Sequence, residues 1–249
     1  LIAAAAAGFL PPVCAAFAAA PADAKAAAGS LSEDDKKCLN CHSSEGLKKR
    51  LANGDSLSLH VRGGEFEKSV HIEIGCGGTG GNSAGLALEF GWSGLMVDAS
   101  RRAIAALEYR ATGYPGVTAL CHTVTPGELN HMLKQQGFSG DVDFFAIDID
   151  SVDYWLLDAL GECSPRVLVM EYNALFGPDR AVTLPNAPIP KGAPKGYSGA
   201  SLAALTRLAN RKGYRLVLCE EAGINAFFLR NDVAPQIPAV AVKDAYRPW

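Results

Sequence analysis

A glycine-rich turn flanked by acidic residues is the part of this sequence best suited to chemistry. Glu73, Gly75 and Gly77 alternate directly after an apolar, strand-like run, and Asp98 ends the next such run about twenty residues further on. Glycine lets a backbone approach a ligand closely and adopt positive φ without a Cβ clash. In open parallel sheets, ligands bind beyond the carboxyl ends of the strands. The spacing therefore predicts a ligand pocket lined by Glu73 and the two glycines, with Asp98 accepting hydrogen bonds from ribose hydroxyls.

Two ribose-bearing ligands fit such a pocket, a dinucleotide and S-adenosylmethionine (SAM). The loop does not keep the strict G-x-G-x-x-G spacing of dinucleotide sites, and no second substrate domain is visible in the sequence. Tight strand-to-helix turns require glycine even without a ligand. Here, however, the strand, loop, helix and acidic residue occur in the order that a binding site needs, so the sequence favours SAM.

Three further carboxylates follow later strand-like runs. Asp148 and Asp150 stand at the end of the fourth run, and Glu171 ends the fifth. Methyl transfer is an in-line displacement, in which the protein aligns donor and acceptor and supplies a base when the acceptor is a hydroxyl. We therefore expect Asp148, Asp150 and Glu171 to be catalytic candidates, with Asp148 also contacting the cofactor. The alternative is that Asp150 or Ser151 caps the helix that follows.

The order of these runs predicts the fold. Apolar strand-like runs alternate with helical segments from Val70 to Met170, and two closely spaced strands end the pattern. Such alternation is typical of an α/β fold with a mostly parallel open sheet. A final antiparallel hairpin on that sheet is the arrangement of the class I SAM-methyltransferase (Rossmann-like) fold. We predict strands at 70–74, 94–97, 117–121, 144–149, 167–170, 216–219 and 226–229, and helices at 82–90, 100–110, 154–160 and 201–212, with a further helix capped by Thr125.

Several stretches of the later sequence carry a resemblance to a known family. They are Glu89–Gly94, Phe145–Trp155, Arg166–Asn173, Tyr197–Leu205, Lys212–Val217 and Asn225–Arg230. Together they resemble the FkbM-like group of SAM-dependent methyltransferases, over about residues 70–232. The resemblance implies a class I methyltransferase fold, SAM as cofactor and methyl transfer, which we expect to be directed to an oxygen of a small molecule or a glycan.

Two departures from that group support a second hypothesis. Ser151-Val152 stands where the group has Gly-Asn after its Asp-x-Asp, which adds a Cβ and removes a polar amide. The loop after Phe176 is rich in Pro, Gly and Lys and has no aromatic residue before Tyr197, so we expect a different substrate lid. The alternative function is a catalytically idle methyltransferase fold that serves as an accessory subunit of a respiratory or photosynthetic membrane complex.

Composition indicates one globular domain with additional segments at both ends. The chain has 249 residues, of which 49% are hydrophobic and 20% charged, and this excludes a disordered or coiled-coil protein. A net charge of −3 without a long basic run argues against nucleic-acid binding. We divide the chain into an alanine-rich apolar segment (1–30), a linker (31–67), the methyltransferase-like domain (68–232) and a C-terminal tail (233–249).

The alanine-rich segment suggests a compartment. It carries no charged side chain before Asp23, and small residues at A-x-A spacing around Pro21 are typical of a signal-peptide cleavage zone. An apolar stretch of about 20 residues is also long enough to cross a bilayer, although Pro11 and Pro12 would kink a helix there. A segment packed on the domain or on a partner is the third possibility. We expect membrane association in an organelle (chloroplast or mitochondrion) or the periplasm, with subunits of a membrane assembly as partners.

The linker contains a second candidate cofactor site. Cys38-Leu-Asn-Cys41-His42 is the C-x-x-C-H pattern of c-type haem attachment, in which two thioethers hold the haem and the histidine binds its iron. The alternatives are a Cys38–Cys41 disulfide or two free thiols. A four-ligand zinc site is not expected, because no second C-x-x-C or pair of histidines follows.

Overall fold

The computed structural model describes residues 44, 46–50, 54–58, 68–75, 77–111 and 116–249. The alanine-rich segment, the C-x-x-C-H pattern and Cys76 lie outside the described residues. A short antiparallel pair, β1 (Lys48–Arg50) and β2 (Ser56–Ser58), precedes the main sheet.

The main sheet has seven strands, and the order in which the chain adds them reverses at the centre of the sheet. Its strands are β3 (Val70–Ile74), β4 (Ser93–Asp98), β5 (Val117–Cys121), β6 (Gly140–Ile147), β7 (Cys163–Glu171), β8 (Tyr214–Cys219) and β9 (Asn225–Arg230). Their order is β5-β4-β3-β6-β7-β9-β8, in which β3 to β7 are mutually parallel and β9 is antiparallel to both β7 and β8. This arrangement confirms the predicted class I methyltransferase (Rossmann-like) fold with its C-terminal antiparallel hairpin.

Six helices accompany the sheet in the part of the chain that the structure describes. They are α1 (Ala84–Leu88), α2 (Arg101–Ala111), α3 (Leu129–Gln135), α4 (Asp153–Ala159), α5 (Leu202–Arg211) and α6 (Val242–Ala245). Helix α5 begins as predicted, because the Ser201 hydroxyl accepts a hydrogen bond from the Ala204 N–H. The predicted cap of α3 is wrong. Thr125 instead opens a turn in which its hydroxyl donates to Glu128, and the helix starts at Leu129.

The two faces of the sheet bury different sets of side chains, as strand alternation requires. On β3, Ile72 and Ile74 join the larger core, which packs against α3, α4 and α5. The opposite face carries a smaller apolar cluster of Ala87, Met96, Ile104 and Leu107 under α1 and α2. His71 and Glu73 point to this second face and are fully buried there.

The tail after Asp232 packs on the domain. Helix α6 buries Ala245, and the Tyr172 hydroxyl donates to the Arg247 carbonyl over 2.8 Å. The Trp249 indole N–H donates to the Gly223 carbonyl over 2.7 Å, which holds the end of the chain against the turn between β8 and β9.

The reversal of strand order creates a crevice beside β3. The chain adds β4 and β5 on one side of β3 and then crosses to add β6 on the other side. The loops that follow β3 and β6 therefore diverge at the carboxyl ends of these two strands. Backbone hydrogen bonds hold the crevice closed at its base: Gly75 N–H donates to Val97 (2.8 Å) and Asp148 N–H to Ile74 (2.9 Å). The predicted ligand loop therefore starts where the sheet divides.

Candidate active site

A cavity of about 660 Å³ opens at the carboxyl edge of the sheet. Its volume lies in the range of small-molecule sites in proteins. The walls come from the ends of β3, β4, β5 and β6 and from the Pro-rich loop that precedes α5. The lining residues are Ile74, Gly75, Gly77, Val97, Asp98, Ala99, His122, Thr123, Val124, Thr125, Pro126, Asp148, Ile149, Asp150, Ser151, Val152, Asn186, Ala187, Pro188 and Ile189.

Asp98 ties the glycine loop to the end of β4. Its Oδ2 accepts from the Gly77 N–H over 2.8 Å, and its Oδ1 accepts from the Ser100 N–H over 2.6 Å. A carboxylate has about four acceptor positions, so two remain for a ligand in the cavity that Asp98 lines. The structure thus brings together Gly75, Gly77 and Asp98, three of the predicted cofactor contacts.

Glu73, the fourth predicted contact, lies behind the loop and does not line the cavity. Its Oε1 accepts from the backbone N–H of Asn82 over 3.1 Å, while its Oε2 is buried without a hydrogen-bond partner. Burial raises the pKa of Glu73 from 4.5 to about 8. Glu73 therefore supports the end of the glycine loop through its hydrogen bond with Asn82. Direct contact between Glu73 and a cofactor stays a prediction.

The raised pKa of Glu73 predicts a pH-dependent stability. The unfolded state releases the proton first, so the free energy of unfolding should fall as pH rises from about 4.5 to about 8. For one proton the slope is about 1.4 kcal/mol per pH unit. Glu73→Gln should reduce the slope by nearly that amount, because the amide carries no titrating group. Urea unfolding at a series of pH values measures it.

The exposed Glu89 supplies the control for this experiment. The slope measured for Glu89→Gln is the reference for the slope of Glu73→Gln. An equal slope in wild type and Glu73→Gln would contradict the burial of an ionisable carboxyl at position 73.

Asp148 and Glu171 form a carboxyl pair at the edge of the cavity. Their side chains share a hydrogen bond, and burial is the largest cause that raises the pKa of each. Burial, together with the negative charge of Asp148 and Asp150, raises the pKa of Glu171 to about 9. Glu171 therefore keeps its proton at neutral pH and donates it in the hydrogen bond to Asp148.

The turn after β6 is oriented by Asp153 rather than by Asp150 or Ser151. Asp153 is fully buried and accepts from the Ile149 N–H (2.8 Å) and the Ser151 N–H (2.9 Å). The proposed capping by Asp150 or Ser151 is therefore wrong: Val152 occupies the N-cap position of α4, and no side-chain hydrogen bond caps the helix there. Asp150 adopts the left-handed conformation with φ of +57° and lies exposed at the cavity wall.

Several residues of the cavity wall were not predicted from the sequence. His122 lines the cavity with Thr123 and Val124, and its Nε2 lies 3.9 Å from Glu128 Oε2. The available signal was topological, since the loop after the third parallel strand must reach the same edge as the others. Trp155 and Tyr172 do not line the cavity. The Trp155 indole donates to the Leu184 carbonyl, and Tyr172 is fully buried.

Other predicted sites gain no support from the described residues. Among them, no group of three or more His, Cys, Asp or Glu side chains is arranged to hold a metal ion. No helix in the described ranges is long and apolar enough to cross a membrane. Cys38, Cys41 and His42 lie outside these ranges, so the haem site stays a prediction. An intact mass and an absorption spectrum of the native protein distinguish haem from a disulfide or free thiols.

The strand order and the reversed β9 place this chain in the class I methyltransferase fold. No protein-family model matches the sequence, and no curated protein matches it either. Among solved structures, the chain is similar to the N-terminal domain of EvdMO1 determined in the presence of SAH and D-fucose. The identity is 13%, with 81% of this chain and 97% of that chain covered and a TM-score of 0.43.

Two further structures share this likeness. The N-methyltransferase NodS from Bradyrhizobium japonicum WM9 has 13% identity over 80% of this chain and 94% of its own, with a TM-score of 0.41. A methyltransferase from Geobacter sulfurreducens has 13% identity over 65% of this chain and 70% of its own, with a TM-score of 0.42. The fold assignment itself depends on the strand order and register of the sheet.

Proposed function

We propose that this protein is a SAM-dependent methyltransferase of the FkbM-like group that methylates a hydroxyl of a small molecule or a glycan. The observation that carries the proposal is the cavity in which Gly75, Gly77, Asp98 and Asp148 meet at the carboxyl edge of β3, β4 and β6. The sequence stretches that resemble the FkbM-like group also build this edge and the hairpin beside it.

The donor set of the cavity fits SAM. Gly75 and Gly77 leave backbone exposed to a ligand, Asp98 has free acceptor positions for ribose hydroxyls, and Asp148 offers negative charge to a cationic ligand. Apolar side chains of Val97, Val124 and Ile149 complete the walls. SAM supplies an electrophilic methyl group when bound, and this chain must orient it and exclude water.

A hydroxyl acceptor gives up its proton as its oxygen gains the methyl group, so the site needs a base. The Asp148–Glu171 pair meets this need because it holds one proton and can accept a second. Asp148 receives the acceptor's proton, since it is the member of the pair that lines the cavity. Protonated Glu171 stabilises the Asp148 carboxylate by donating a hydrogen bond to it.

Ser151 and Val152 bear on the choice of acceptor. Both residues line the cavity next to Asp150, where the FkbM-like group has Gly-Asn. Asn186–Ile189 from the Pro-rich loop also line the cavity. We propose that these two segments select a different acceptor from those of the group.

Binding of the cofactor is the first test. Titration calorimetry should show binding of both SAM and S-adenosylhomocysteine, and Asp98→Ala should weaken it by about tenfold or more, because lost charged hydrogen bonds cost about 1.5–3 kcal/mol. Asp158→Ala is the matched control, since Asp158 is an exposed aspartate on α4 that does not line the cavity.

Two outcomes would count against the proposal. Absence of SAM binding by the wild-type protein would contradict the cofactor assignment. Binding without turnover on any hydroxyl acceptor would contradict methyl transfer and match the idle accessory subunit instead.

A further inference from the structure

A partly buried chain of hydrogen bonds runs from Glu220 on the C-terminal hairpin through two asparagines to Glu73, close to Asp148. Asn225, the first residue of β9, donates from its Nδ2 to Asn82 Oδ1 over 2.8 Å, although the two residues are 143 positions apart. Asn82 lies between the glycine loop and α1, and its side-chain amide is close enough to Asp148 to lower the pKa of that carboxyl. Its Nδ2 also donates to Glu73 Oε1 over 3.4 Å.

The direction of each hydrogen bond in this chain is fixed by chemistry. Glu220 Oε1 accepts from both the backbone N–H (2.8 Å) and Nδ2 (3.0 Å) of Asn225, and because a backbone N–H can only donate, this oxygen is an acceptor. The amide nitrogen of Asn225 must therefore face this end of the hairpin. Its second N–H then points at Asn82, which must present its oxygen. The amide nitrogen of Asn82 is left to face Asp148 and Glu73.

We propose that Asn82 is a positioning residue for the transfer reaction, set in its orientation by Asn225 and Glu220. The proposal rests on the proposed function, since it concerns the Asp148 carboxylate of that site. Asn82 does not line the cavity, so it acts on a bound substrate through Asp148. The hairpin thereby influences the protonation of a group that follows β6, two strands away from β9 in the sheet.

The charges around Asp148 explain why this donor matters. Asp150 after β6 and Glu220 on the hairpin add negative charge near Asp148, whereas the Glu171 side chain on β7 donates a hydrogen bond to it. Glu73 on β3 and Asp153 after β6 also lie near Asp148, and burial raises the pKa of both carboxyls. Each added negative charge disfavours ionisation of Asp148, whereas the N–H groups of Asn82 favour it. Loss of this donor therefore raises the pKa of Asp148.

Asn225→Asp is the sharpest test because it replaces one NH2 group by oxygen. The carboxylate that this change introduces cannot donate to Asn82 Oδ1, so the Asn82 amide turns over and presents its oxygen to Asp148. In the pH dependence of kcat, we expect the acidic limb to move to higher pH by about one unit. At pH values below this limb, kcat should be about tenfold lower than in the wild type. Asn82→Ala should move the limb in the same direction. KM for SAM should stay within about threefold, since neither residue lines the cavity.

Asn130→Asp is the matched control. Asn130 is also an asparagine with several hydrogen bonds: it donates to the Ala159 carbonyl and accepts from the Gly161 and Glu162 N–H groups at the amino edge of β7. This variant should lose comparable folding stability without moving the kcat profile. An equal displacement in Asn130→Asp and Asn225→Asp would overturn the proposal, as would an unchanged profile in both Asn225→Asp and Asn82→Ala.

A second readout separates this proposal from the proposed function. Carboxyl-carbon NMR titration of the full chain reports the pKa of Asp148 without any cofactor. A higher pKa of Asp148 in Asn225→Asp supports the positioning role even if the wild type fails to bind SAM, a result that would overturn only the methyltransferase function. An unchanged pKa overturns the positioning role even in an active enzyme.

Discussion

Asp148→Asn should reduce methyl transfer by about 100-fold or more while S-adenosylhomocysteine, which lacks the positive charge of SAM, still binds with nearly wild-type affinity. An asparagine cannot take the proton that the hydroxyl acceptor releases, and the loss of a general base typically costs a factor of about 10² to 10⁴. The amide has nearly the same shape as the carboxylate, so the cavity wall is kept. The measurement is kcat with a radiolabelled methyl group, together with the Kd of S-adenosylhomocysteine by calorimetry.

Glu171→Gln is the informative partner variant. Glutamine keeps an N–H that can donate to Asp148, as protonated Glu171 does in the pair. We therefore expect activity within about tenfold of wild type at neutral pH. The wild-type change near pH 9, where Glu171 loses its proton, should disappear. A greater loss in Glu171→Gln than in Asp148→Asn would contradict our assignment of the base and would make Glu171 the acceptor of the proton.

Much of this fold is encoded locally and could be predicted from the sequence. The strand at Val70–Ile74 appears with its predicted bounds, and Ser201 caps α5 as its position before an apolar helical run indicates. The parallel sheet then follows from alternation, and its switch point follows from the fold class. Local pattern and fold class together therefore suffice to bring Asp98 and Asp148 to one edge of the sheet.

The features of the site that the sequence did not predict depend on the packing of the folded chain. No local pattern shows that Asp153 folds back onto the Ile149 and Ser151 N–H groups, because the same carboxylate could lie exposed in the first turn of α4. The Asn82–Asn225 hydrogen bond spans 143 positions and requires β9 to lie next to β7. His122 enters the cavity only once β5 is placed beside β4.

Gly75→Ala should strongly destabilise the fold and weaken SAM binding. A Cβ at this position would lie 1.6 Å from the Asp148 carbonyl oxygen and 2.6 Å from its carbon, and φ is +93°. The obstacle is backbone, so no side-chain rotation relieves it, and the ends of β3 and β6 must separate. That movement would break the hydrogen bond from Asp148 N–H to Ile74. We expect a loss of about 3 kcal/mol or more in the free energy of unfolding.

Gly77→Ala distinguishes the cost of a steric clash at the Cβ from the cost of a positive φ. Gly77 also has positive φ, at +55°, but no atom lies within 4 Å of the position that a Cβ would take. Alanine there should cost only the left-handed conformation, about 1–2 kcal/mol. Urea unfolding of the two variants gives the comparison. Equal losses would mean that the ends of β3 and β6 do not approach each other closely. A much larger loss at Gly75 would show that the crevice is held at its base by this contact, which fixes Asp148 relative to the glycine loop.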